Sequence, residues 1–81
     1  MNKLLNKYWL EIVGIDHLPN LGITAYTEED VSKLIKEKIK NSIDIKSIKI
    51  IKSLDELDQN HVIPNMEEFV IRGIWYPKGF K

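Results

Sequence analysis

Phe69-Val70-Ile71-Arg72-Gly73-Ile74-Trp75-Tyr76-Pro77 places apolar side chains on both parities of an extended chain: Phe69, Ile71 and Trp75 on one, and Val70, Ile74 and Tyr76 on the other, with Arg72 among the second. Successive residues of a strand point to opposite faces, so both faces of this run need cover. Lys7 to Ile15 repeats the pattern, with Trp9, Val13 and Ile15 on one parity and Tyr8, Leu10 and Ile12 on the other. Such strands belong in a sheet that is covered on two sides.

Working outward, Asp16 to Gly22 concentrates Pro19, Asn20 and Gly22, the composition of a reversing loop, and Ile23 to Tyr26 reads as the second strand of a hairpin. Thr27 before Glu28-Glu29-Asp30 has the form of a helix N-cap followed by carboxylates, at the end where backbone N–H groups are unpaired. Val31, Leu34, Ile35 and Ile39 then share one helical face, opposite Lys33, Lys36, Glu37 and Lys40, and Asn41 is the expected stop. The apolar parity changes between Ile43/Ile45 and Ile48/Ile50, which predicts a bulge near Lys46-Ser47 and a third strand at about Ser47 to Lys52. Ser53 opens a short helical turn over Leu54 to Asp58, and Pro64 is expected to hold Ile63 extended in the loop before the last strand.

The order β-β-α-β-β predicts a single α+β domain of two layers, one helix packed on a small, mainly antiparallel four-stranded sheet. A lone helix covers one face. Tyr8, Leu10, Val70, Ile74 and Tyr76 are then expected on the other, where each would forgo roughly 1.5–3 kcal/mol if left in water. That deficit predicts a homodimer or higher homo-oligomer joined through the open sheet face.

Composition points the same way. A chain of 81 residues buries a modest share of its surface, and small domains are commonly steadied by disulfides, metal or association. The sequence has no cysteine, and its two histidines, His17 and His61, stand far apart, so disulfides and thiolate zinc sites are excluded and no cofactor or metal is expected. Twelve basic residues balance twelve acidic ones, which argues against a nucleic acid polymer as partner. No apolar run has the length of a membrane span or signal h-region, so a cytoplasmic protein is expected. The abundance of Ile, Lys and Asn suits an AT-rich bacterium or its phage.

Arg72 is the sole arginine and stands beside Gly73, where a missing side chain admits close approach. With Trp75 and Tyr76 nearby, it suggests bidentate capture of an anionic group with a ring stacked on an aromatic side chain. The structural alternatives are a salt bridge to Asp55 or Asp58, or a cation–π contact with Trp75. His61, flanked by Asn60 and Asn65, is a candidate hydrogen-bond donor or general base; its alternative is to fix the turn before Pro64. Asp55, Asp58 and His61 recur every third residue, a metal-ligand spacing that solvated turn carboxylates also show.

The segments Asp58-Gln59-Asn60-His61-Val62-Ile63-Pro64-Asn65-Met66 and Arg72-Gly73-Ile74-Trp75-Tyr76-Pro77, with Gly22 to Tyr26 leading into Glu29-Asp30, resemble the signature of a family of short uncharacterised bacterial proteins. The resemblance implies that His61, Asn65, Arg72 and Trp75 act as one constellation; it carries no activity. Three functions fit the residues. The first is a non-enzymatic, homo-oligomeric module that holds a small anionic, nucleotide-like ligand through His61, Asn65, Arg72, Trp75 and Tyr76, sequestering a signalling molecule. The second is an inhibitor or immunity-type protein capping a partner enzyme. The third is a small hydrolase or lyase with His61 as base.

Overall fold

The structure is a computed structural model that describes residues 4–39, 42–60 and 62–77. Four strands, β1 (Asn6–Val13), β2 (Asn20–Ala25), β3 (Asp44–Ile51) and β4 (Gly73–Tyr76), form one antiparallel sheet in the order β3-β1-β2-β4. The helix α1 (Glu28–Lys38) follows β2, and two 3₁₀ turns, Leu54–Glu56 and Ile63–Asn65, lie between β3 and β4. The α+β class and the β-β-α-β-β order are those expected from the sequence.

Local chemistry accounts for the elements. Thr27 caps α1 in extended conformation, its hydroxyl accepting the Asp30 N–H at 3.1 Å. Val31, Leu34, Ile35 and Ile39 are all buried. The helix ends when Ile39 turns extended; Asn41, the expected stop, lies outside the described residues. The parity change in β3 is a bulge: Glu11 faces Ser47 and Ile12 faces Ile45, leaving Lys46 without an opposite number. Ile63 is not extended but begins a 3₁₀ turn, because proline is tolerated in a first turn, where its missing N–H has no partner to lose.

The two sheet faces are filled differently from the expectation. Tyr8, Leu10 and Ile12 of β1, Leu21, Ile23 and Ala25 of β2, and Ile74 of β4 pack with α1 in one core. Tyr8, Leu10 and Ile74 were expected on the far face. An unbroken apolar row matches the helix stripe better than the alternate row of β1, in which Lys7 and Glu11 flank Trp9. The far face carries a second cluster of Ile51, Leu57, Val62 and Trp75, with Trp9, Ile63, Met66, Phe69 and Tyr76 against it. The chain between β3 and β4 thus supplies the cover that was assigned to a second subunit.

Trp75 is the centre of that cluster and is fully buried, with Trp9 at 6.1 Å and Phe69 at 6.2 Å between ring centroids. Its ring lies on Gly22, where an added Cβ would come within 2.5 Å of it. The Glu67 N–H donates to the Trp75 carbonyl at 2.7 Å, and the buried Thr24 hydroxyl donates to the Phe69 carbonyl, pinning the covering segment to the sheet. The expected strand over Phe69 to Pro77 shortens to Gly73–Tyr76, and Val70 and Ile71 are exposed. Gly22 pairs with Tyr76 and Ile23 with Ile74, so Trp75 is an inserted residue and Tyr76 joins it on the second face.

Candidate functional site

Arg72 sits in the bend before β4 and reaches the first turn of α1. Its Nε donates to Asp30 Oδ2 at 2.8 Å and its Nη2 to Asp30 Oδ1 at 2.5 Å, a two-point pair. Asp30 Oδ2 also accepts the Tyr26 N–H at 3.1 Å, while Asp30's own N–H is held by Thr27. One carboxylate therefore joins the helix start, the end of β2 and the chain entering β4. Arg72 holds the Asp30 carboxyl down from 3.8 to about 2; burial opposes this, and the Tyr26 N–H and the charges of Arg72 and Lys33 reinforce it.

Beside this pair is a groove of about 310 Å³ between α1 and β4, walled by Leu34, Glu37 and Lys38 on the helix and by Ile71 to Ile74 opposite. Gly73 lines it with φ of 153° and no atom within 4 Å of where a Cβ would stand. Glycine is present here for the backbone conformation, and the consequence is open space beside the guanidinium. Asp30 occupies Nε and one Nη2 hydrogen, which leaves the Nη1 edge for another acceptor, with Lys38 on the facing wall. Tyr26, Val70 and Ile71 expose 39%, 57% and 48% of their surfaces near the pair, an aromatic and two aliphatic side chains around a charge.

The expected constellation is not assembled as drawn. Arg72 bonds Asp30, not Asp55 or Asp58. Trp75 is 0% exposed and cannot present a ring to a ligand. Tyr76 is half-buried on the second face, 5.3 Å from Trp9, and lines a different groove with His17 and Asn20. Asn65 is exposed at the end of the second 3₁₀ turn, its N–H donating to the Val62 carbonyl at 3.0 Å. His61 lies outside the described residues. Asp58 Oδ1 accepts the Asn60 N–H at 2.8 Å, and Glu56 accepts the Lys52 and Ser53 N–H groups, so both carboxylates close turns. Among the described residues, no group of three or more His, Cys, Asp or Glu is placed to hold a metal ion, and no helix is long and apolar enough to cross a membrane.

Asp30 and Lys38 are the residues of this candidate site that the sequence does not single out, and Tyr26 is one whose part it leaves open. The N-cap pattern placed Asp30 in the first helical turn, but nothing local joins it to Arg72. No protein-family model, no curated protein and no solved structure matches the chain.

Proposed function

We propose that the protein is a non-enzymatic binding module that holds a small anionic ligand at Arg72, works as a homo-oligomer, and sequesters that ligand in the cytoplasm of a bacterium or phage-infected cell. One observation carries the reading: the only arginine is oriented by a two-point bond to Asp30 at the mouth of a groove that Lys38 lines from the other side. An oriented guanidinium loses less freedom on binding than a mobile one. A nucleotide-like ligand would place its phosphate on Arg72 and Lys38 and its base over Ile71 and Tyr26, since Trp75 is enclosed.

Titration calorimetry with inorganic phosphate and a nucleotide panel tests this. Binding that weakens at least tenfold in both Lys38→Ala and Arg72→Lys supports it, because Lys38→Ala leaves the Asp30 pair untouched. Absence of binding, or binding indifferent to both substitutions, rejects it.

The second reading, a cap on a partner enzyme, draws on the exposure of Tyr26, Val70 and Ile71 around Arg72. Tyr and Arg are enriched among residues that dominate interfaces. Tight pairing with a neighbouring gene product that Val70→Asp abolishes, with no small-molecule binding, would favour it over the first.

A further inference from the structure

β3 ends the sheet, and its outer edge has no partner strand among the described residues. Ile45, Ile48 and Ile50 lie opposite Ile12, Leu10 and Tyr8, so they share the helix side of the sheet. Ile45 is 40% and Ile50 52% exposed, and Ile48 is half-buried. Beside them, between α1 and β3, runs a groove of about 400 Å³ lined by Ile35, Ile39, Ile43 and Ile45 together with Ser32, Lys36 and Ser42. An edge of this length offers a row of unpaired backbone groups to another strand.

What distinguishes this edge is that it complements itself. With Lys46 taken up in the bulge, the strand has an odd number of facing positions and Ile48 is the middle one. A second copy laid antiparallel along the edge, with its two-fold axis at Ile48, sets Ile48 against Ile48, Ile45 against Ile50, Ser47 against Lys49 and Asp44 against Ile51. Every helix-side residue then meets an isoleucine. On the opposite side, Lys49 is diagonal both to Asp44 and, across the axis, to Lys49 of the second copy, and no lysine stands directly opposite another. A one-residue slip would break this by sending each isoleucine to the other face. The two-fold axis also sets both helices on one side of a continuous sheet, so the isoleucine-bearing grooves adjoin across the junction.

We propose that β3 is the self-association surface of the protein and that its occupant is β3 of a second copy, in the register centred on Ile48. This rests on the homo-oligomer in the functional reading and gives it a surface other than the filled sheet face. The Arg72 groove lies at the opposite edge of the sheet, so both sites of a dimer stay open.

The test is a dilution series by sedimentation velocity on the wild type, Ile50→Lys, Ile45→Glu and an equimolar mixture of the two variants, with circular dichroism to confirm folding. The wild type is expected to dimerise, and each variant alone to be monomeric. The mixture should recover the dimer, because Lys at 50 in one copy faces Glu at 45 in the other. As the chain has no cysteine, Ile48→Cys offers a second readout: mild oxidation should link two copies through the axis. A wild type that is monomeric throughout, a mixture that does not recover the dimer, or an Ile48→Cys that fails to cross-link overturns the proposal. Phosphate titration of monomeric Ile50→Lys separates the two readings, since retained binding leaves the ligand site standing whatever the oligomeric state.

Discussion

Asp30 and Arg72, 42 residues apart, meet through two hydrogen bonds of 2.8 and 2.5 Å, and the same carboxylate accepts the Tyr26 N–H. The pair fastens the entry to the edge strand β4 to the start of the helix. Its acid is 13% and its base 36% exposed, so solvent screens it and its chief effect is geometric.

Acid should therefore weaken the fold in a defined window. The Asp30 carboxyl is lowered from 3.8 to about 2, so its contribution is complete above the unfolded value and is lost as pH falls through the folded one. Urea midpoints measured from neutrality down to pH 2 should drop more for the wild type than for Asp30→Asn. Parallel profiles would show that the pair does not couple protonation to folding.

Gly22→Ala is expected to destabilise by about 1–3 kcal/mol, the range for forcing extra volume into a packed core. The new methyl would stand 2.5 Å from the Trp75 ring, with both groups enclosed. Urea unfolding followed by tryptophan fluorescence gives the figure, and an unchanged midpoint would mean the indole shifts without cost.

Gly73→Ala makes a contrasting case. Nothing lies within 4 Å of the added carbon, but φ is 153°, a conformation that side chains rarely adopt. A loss of about 1–3 kcal/mol from backbone strain alone is expected. Strain at the turn into β4 should also weaken the ligand binding proposed at Arg72, which calorimetry would read.

Trp75→Ala should cost about 3–5 kcal/mol, as for other large core aromatics. The Trp75 Nε1–H is buried with no acceptor among the described residues. An unpartnered buried donor itself costs about 1–3 kcal/mol. Trp75→Phe removes that group and keeps most of the ring, so it should be far milder than Ala. Equal losses in the two variants would place the stability in the indole's second ring or in a bond to its nitrogen.

Much of the fold was legible because its signals are local. Thr27, the carboxylates after it and the spacing of Val31, Leu34, Ile35 and Ile39 define the helix, and the parity change across Lys46 located the bulge. The site was legible only in Arg72 and Gly73. Grouping Arg72 with Tyr76 rested on an unbroken strand, whereas the irregular pairing opposite Gly22 and Ile23 turns Tyr76 to the other face, where alternation already places Trp75.

From the amino-acid order alone it follows that the sheet is apolar on two sides, that one helix serves one of them, and that a lone arginine stands beside a glycine. Only the tertiary structure decided that Leu57, Val62, Ile63, Met66 and Phe69 fold back as the second cover and that Asp30 is the partner of Arg72. Alternation along a strand says that a face must be shielded but not by what. The shield and the ion pair are contacts between distant segments, chosen by the volume and charge left once the helix and hairpin have formed.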